Sequence, residues 1–287
     1  MLKLGIMKTA TFQIIGKDRP GIIAQTTTAI FASGANIISL EEKVVNGVFS
    51  MTLNANITKI SSANLTQLKK RLNQIKNDLD LDIHLNLKDA KQRKNLAILV
   101  TKEDHCLKEL VRQCRLQKIR AKPVVVISNR ADLAKIVKKM AIPFVLAGFQ
   151  EKVSCEQKIV RTLKKFNADF LALARYMQIL SPEFVARYEG RIINIHPSLL
   201  PAFPGARPYE QAIQAGVGVV GVTAHFVTTD LDRGPVIQQE AFKIQRNATL
   251  TKVQTKGQKL EAKVLAQACE LFARDKLFLR WGKVNLR

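Results

Sequence analysis

The spacing of apolar positions changes once along the chain, near residue 95, and the change separates two kinds of sheet. Before it, short stretches alternate apolar and polar residues, as strands with one buried face do. Residues 9–15 (TATFQII) predict a first strand. The turn Gly16-Lys17-Asp18-Arg19-Pro20-Gly21 then feeds an amphipathic helix that runs through Phe31 and stops at Gly34. Residues 36–45 and 48–56 flank Asn46-Gly47, a pair suited to the two positive-φ positions of a tight hairpin. Leu65, Leu68, Leu72, Ile75 and Leu79 recur at helical spacing, and residues 82–87 alternate once more. The predicted order is β-α-β-β-α-β.

After residue 95 the apolar runs are short and unbroken: 96–100, 124–127, 143–145, 170–174 and 192–195. Strands buried on both faces read this way, and helices alternating with them imply a parallel sheet covered on both sides. Ser154 with Gln157 reads as a capping box, Ser181-Pro182 as another helix start, and residues 249–273 as a long final helix. Residues 219–227 and 236–242 add two strands around a turn at 230–235. The chain is therefore expected to be α/β. A ferredoxin-like α+β domain over 1–88 precedes a Rossmann-like parallel-sheet domain over 89–287, with polar residues 88–94 as the linker.

Composition narrows the picture. With 47% hydrophobic and 24% charged residues the chain is globular, and no apolar run approaches a membrane span. The first ten residues are too weakly apolar for a secretory signal, so the cytoplasm is the expected compartment and no membrane partner is expected. Cys106, Cys114, Cys155 and Cys269 form no CxxC pair, which argues against a metal site or disulfide framework. The net charge is +23: residues 1–90 hold 11 basic against 7 acidic residues, and the remainder holds 35 against 16. Such a field suits a polyanionic small molecule. The lysines are dispersed and no aromatic residues interleave with them, so a nucleic-acid partner is not expected.

Ligands of open α/β sheets bind beyond the carboxyl ends of the strands. The polar residues found there are Thr101, Asn129, Arg175 to Gln178, and Asn194 with His196. The last two stand two residues apart on a strand, hence on one face, and run into a loop stiffened by Pro197, Pro201, Pro204 and Pro208. Asp232, in the turn after residue 227, is a candidate carboxylate. An amide, an imidazole and a carboxylate together can polarise a carbonyl and move a proton. No Ser or Cys sits in an elbow motif, which favours direct transfer or water attack over a covalent acyl-enzyme. His84 is expected on a solvent-side face and Trp281 packed near the C-terminus, while His105 is open between reaching the site from the first strand's end and opening a helix. His225 is open between a partner of the site and a core histidine.

With its DRPG turn at Asp18 to Gly21 and Gly34-Ala35-Asn36-Ile37 opening the second strand, the first domain resembles an ACT domain. The resemblance implies a small amino-acid effector near Asp18, Arg19 and Gly21, and pairing of copies into a dimer or tetramer. Further motifs lie at Asn194 to Pro201, Pro204-Gly205, Gly221 to Val227, and Leu231-Asp232-Arg233-Gly234-Pro235-Val236-Ile237. Over these the second domain looks like the 10-formyltetrahydrofolate-dependent formyltransferase fold. Carried across, Asn194, His196 and Asp232 are the catalytic trio. Met177, Gln178, Ile179 and Leu180 match the pterin-contacting turn, and Thr228, Thr229 and Asp230 the folate loop. The two domains in this order are similar to the formyltetrahydrofolate deformylase family. That implies hydrolysis of 10-formyltetrahydrofolate to tetrahydrofolate and formate with no metal or further cofactor, which balances one-carbon pools and supplies formate for purine synthesis. Several positions depart from the deformylase pattern: Pro197 follows His196 as in the transferases, Gln178 stands where Arg is frequent, Arg130 where His is usual, and residues 142–146 lack a histidine pair. These leave open a transferase acting on an amine, or a weakly active folate or amino-acid sensor.

Overall fold

The computed structural model describes residues 8–87, 93–148, 152–245, 247–280 and 283–286. Its backbone packing divides the chain into two units, Met1–Lys91 and Gln92–Arg287.

The first unit runs β1 (Thr9–Lys17), α1 (Ile22–Ala32), β2 (Asn36–Val45), β3 (Val48–Asn56), α2 (Ser62–Asp78) and β4 (Leu81–Leu87). Its antiparallel sheet has the order β2-β3-β1-β4. The hairpin forms where expected, with φ 49° at Asn46 and 75° at Gly47. Ser61 caps α2 by accepting the Asn64 N–H at 3.1 Å. Alternation along β1 puts Ala10, Phe12 and Ile14 into one core with Ile30, Met51, Leu53, Leu72 and Ile75.

The second unit begins with β5 (Lys94–Val100), α3 (His105–Arg115), β6 (Ala121–Ser128), α4 (Ala134–Lys139), β7 (Phe144–Leu146) and α5 (Lys152–Lys165). It continues with β8 (Phe170–Leu173), α6 (Pro182–Arg187), β9 (Ile192–His196), α7 (Pro208–Gln214), β10 (Val219–Phe226) and β11 (Val236–Lys243). Helix α8 (Leu250–Ala273) and the small pair β12 (Leu277–Arg280) and β13 (Lys283–Leu286) follow. The main sheet has seven strands in the order β11-β10-β9-β8-β5-β6-β7. Alternate strand residues face two cores: Ile98, Val100, Ala172 and Ile193 meet α3 and α8, whereas Leu99, Leu171, Leu173 and Ile192 meet Ile159 and Leu163 of α5.

The sheet is not parallel throughout. Pairs from β7 to β9 are parallel, but β10 runs back against β9, and β11 runs back against β10. The tight turn between β10 and β11 can join only antiparallel neighbours, because parallel ones need a crossover of a dozen or more residues. Two local expectations also change. Ser154 is the third residue of α5, so it is no N-cap; Ser181 does cap α6, accepting the Phe184 N–H at 3.1 Å. Lys94 already belongs to β5, while residues 88–92 of the expected linker lie outside the described residues, as does Trp281. His84 is on the exposed face of β4, as expected.

One glycine in α8 is fixed by contact rather than by conformation. A Cβ at Gly257 would sit 2.0 Å from the Tyr209 hydroxyl and 2.3 Å from its ring carbon. Gly→Ala inside a helix ordinarily stabilises by about 1 kcal/mol. Here Gly257→Ala should instead lower the melting temperature, and a thermal scan that shows a rise would contradict this packing.

Candidate functional site

The carboxyl ends of β5, β8 and β9 lie side by side. Leu99 registers with Leu173, and Leu173 with Asn194. The polar residues that follow these strands therefore collect along one edge. Asn194 and His196 share a face of β9, as their spacing requires, and β10 brings His225 directly opposite Asn194 and Thr223 opposite His196.

His225 fixes the orientation of the Asn194 amide. Its Nδ1–H donates to the Phe226 carbonyl at 2.9 Å, so in the neutral ring Nε2 is an acceptor, and Asn194 Nδ2 donates to it at 3.2 Å. Burial pushes the His225 pKa down and outweighs both the Phe226 hydrogen bond and the Asp232 charge, which keeps the ring neutral in its accepting role. One Asn194 N–H is thus committed, and the amide has a second to offer.

His196 lies between two oxygens. Nε2 donates to the Phe203 carbonyl at 3.0 Å, and Nδ1 stands 3.4 Å from Asp232 Oδ2. Each ring nitrogen thus faces an oxygen acceptor. Asp232 occupies the left-handed region at φ 55°, which a short polar side chain tolerates, and its Oδ2 accepts the Gly205 N–H at 3.0 Å. The turn presses directly onto the end of β10, because a Cβ at Gly234 would lie 1.7 Å from the Phe226 carbonyl oxygen. The Pro-rich loop is pinned as well. Fully buried Thr223 donates to the Ser198 carbonyl at 2.7 Å and accepts the Leu200 N–H at 3.0 Å, while Gln239 donates to the Leu200 carbonyl at 2.9 Å. Gly221 leaves room for Leu199, whose Cδ2 a Cβ there would approach to 2.6 Å.

Of the two expected folate segments, Met177–Leu180 follows the carboxyl end of β8, whereas Thr228–Asp230 follows antiparallel β10, whose last residues lie beside Ile192 and Ile193. The Met177 N–H donates to Thr101 Oγ1 at 2.9 Å, leaving Met177, Gln178 and Ile179 exposed while Leu180 turns into the core. Thr228 Oγ1 donates to the Asp230 carbonyl at 3.2 Å, and Thr229 and Asp230 are exposed.

A second polar cluster was not anticipated. Glu261 of α8 is 1% exposed, yet it accepts the Tyr209 hydroxyl at 2.8 Å and His105 Nε2 at 3.0 Å, with Arg175 Nε 3.5 Å away. Arg175 forks onto Glu103 at 2.7 and 3.4 Å. Burial pushes the Glu261 carboxyl up, but the His105 hydrogen bond and the Arg175 charge outweigh it, and its pKa is lowered from 4.5. His105, Cys106 and Glu261 lie close enough for a metal ion. Their chemistry does not suit one: both Glu261 oxygens already accept hydrogen bonds, and burial holds the Cys106 thiol well above its usual pKa and hence protonated. His105 does begin α3, but its partner is Glu261 rather than the trio.

Comparison with known proteins follows the same division. A model of the formyl transferase family matches residues 94–269, and an ACT domain model matches residues 10–86. A formyltetrahydrofolate deformylase of Bacillus subtilis is 34% identical over 93% of this chain and 89% of its own length. The chain belongs to the formyltetrahydrofolate deformylase family. A deformylase of Escherichia coli is 32% identical over 95% of this chain and 96% of its own. The crystal structure of a formyltetrahydrofolate deformylase from Pseudomonas syringae matches with a TM-score of 0.68 at 28% identity, covering 99% of this chain and 96% of that one. A glycinamide ribonucleotide transformylase from Symbiobacterium toebii gives 0.66 at 27% identity but covers 71% of this chain.

Within this chain, Asn194, His196 and Asp232 come together, and His225 joins them. Its sequence signal was weak: a histidine alternating with Thr223 on a strand gains meaning only when the antiparallel register sets it against Asn194. Glu261 gave no signal, since one acid in a long helix reads as surface. Its lowered pKa sets a pH dependence. A carboxyl held below 4.5 in the fold contributes fully above that value and loses its contribution as pH falls through and below 4.5. Glu261→Gln should therefore reduce unfolding free energy by about 1.5–3 kcal/mol near neutral pH. Urea titrations at successively lower pH should show that gap shrinking, whereas a constant gap would contradict an ionised Glu261.

Proposed function

We infer that this chain hydrolyses 10-formyltetrahydrofolate to tetrahydrofolate and formate. The observation that carries the reading is the preorganised amide of Asn194. One N–H is held by neutral His225, and the other is available to a formyl oxygen as negative charge develops on it. A water molecule attacks the formyl carbon and gives one proton to Asp232. The tetrahedral intermediate collapses, the C–N bond to folate N10 breaks as that nitrogen takes a proton, and formic acid leaves to ionise as formate while Asp232 returns its proton to His196. His196 supplies a second donor and that proton, after exchanging its bond to the Phe203 carbonyl for one to substrate. Asp232 holds the ring from its other nitrogen, and helps place the water.

The pterin is assigned to the turn Met177, Gln178, Ile179 and Leu180, and the rest of the folate to Thr228, Thr229 and Asp230. The exposure of Met177, Gln178 and Ile179 beyond the carboxyl end of β8, and of Thr229 and Asp230 just before Asp232, supports that assignment. In the ACT domain, Asp18, Arg19 and Gly21 form an exposed turn, with Gly21 at φ 88° and the Asp18 N–H donating to the Gly47 carbonyl at 2.9 Å. A small amino acid bound there would act as effector, in a protein whose copies pair into a dimer or tetramer.

Purified protein incubated with 10-formyltetrahydrofolate should release formate without any amine, and release that requires an added amine would make it a transferase. Losing one oxyanion donor lowers turnover about 10²–10³-fold, so Asn194→Ala should fall by that factor. Asp232→Asn should stay folded by circular dichroism yet lose most of the rate, and unchanged kinetics in either variant would reject its role.

A further inference from the structure

An open groove of about 610 Å³ runs beside α5, lined by Gly148, Ser154, Cys155, Lys158, Arg161, Thr162 and Lys165. Three of these residues are exposed cations, and no carboxylate is among the described residues lining it. Lys158, Arg161 and Lys165 recur at i, i+3 and i+7, which places them along one helix face about 4.5 and about 6 Å apart along the axis. The opposite face, with Ile159 and Leu163, packs into the core. The only acid of α5 is Glu156, and it is occupied: its two oxygens accept the Ser181 N–H at 2.7 Å and the Ser181 hydroxyl at 2.5 Å.

That same pair of bonds joins the groove to the edge where folate is assigned. Ser181 directly follows the Met177–Leu180 turn, and Leu180 shares one core with Ile159 and Leu163. Tyr176, just before the turn, packs against that same core. The Cys155 thiol in turn donates to the Gly148 carbonyl, and both residues line the groove. A ligand leaving the turn along α5 therefore meets three evenly repeated positive charges.

We propose that this groove binds the poly-γ-glutamate tail of the folate substrate, with Lys158, Arg161 and Lys165 each facing a tail carboxylate. The proposal rests on the folate reading above. Each added glutamate contributes one carboxylate to a chain that needs no pocket of its own, and a row of exposed cations on a rigid helix matches that chemistry better than it matches a single compact anion. Binding of this kind is screened by salt.

The test compares kcat/KM for the mono- and pentaglutamyl forms of 10-formyltetrahydrofolate. Three exposed ion pairs predict a roughly tenfold preference for the pentaglutamate at low salt. The triple variant K158Q/R161Q/K165Q should bring that ratio close to one. The control K135Q/K138Q/K139Q on α4, which removes the same charge elsewhere, should keep it. A ratio of one in the unaltered protein, a ratio preserved in the groove variant, or an equal loss in the control would each overturn the proposal. Should the protein hydrolyse neither form, the folate hydrolysis reading fails, and calorimetry with mono- and pentaglutamyl tetrahydrofolate decides the groove alone. There, roughly tenfold tighter pentaglutamate binding that the groove variant abolishes supports it, and equal affinities reject it.

Discussion

The candidate site depends on where one carboxylate is held. Asp232 reaches the site from the turn after β10, one strand beyond β9, and three constraints converge on it: a left-handed backbone, a glycine two residues on with no room for a side chain, and the Gly205 N–H bound to Oδ2. Move that oxygen and His196 loses its partner on one nitrogen, while the Pro-rich loop loses its far anchor. The loop also supplies the Phe203 carbonyl that holds the other nitrogen. The imidazole is thus positioned from both sides by backbone segments that the same carboxylate ties together.

The reversal of strand direction after β9 serves this arrangement. Had β10 been parallel to β9, the end of β10 and the turn after it would have been set by a crossover, and His225 would not face Asn194 in register. The antiparallel pair delivers three side chains to one place: Asn194 and His196 from one strand, and His225 from the other. It also lets Thr223, opposite His196, fasten the outgoing loop with two hydrogen bonds from full burial. Buried polar groups that are fully partnered rigidify their surroundings, and here the surroundings are the trio itself.

Period and punctuation made both sheets legible from sequence. Alternation gave the four strands of the first unit and helical spacing its two helices, Asn46-Gly47 located its hairpin, and unbroken apolar runs gave the buried strands of the second. The direction of β10 was not legible, because residue pattern encodes burial and not polarity of pairing. Among site residues, Asn194, His196 and Asp232 could be named because strand spacing and family motifs both marked them. His225 could not be decided, since its role exists only across a strand pair. The Glu261 cluster is assembled from α3, α7, α8 and the segment after β8, so no local stretch contains it. The capping box at Ser154 misled for the opposite reason: a valid local pattern was overridden by a helix already under way.

The close approach of Tyr209 to Gly257 ties the history of two positions 48 residues apart in sequence. A larger residue at 257 is admissible only after position 209 has shrunk, and shrinking it strips Glu261 of one of its hydrogen bonds in the interior. Neither site can drift first without loss, so descendants of this sequence should keep the pair together or replace it in a fixed order, with position 261 changing alongside.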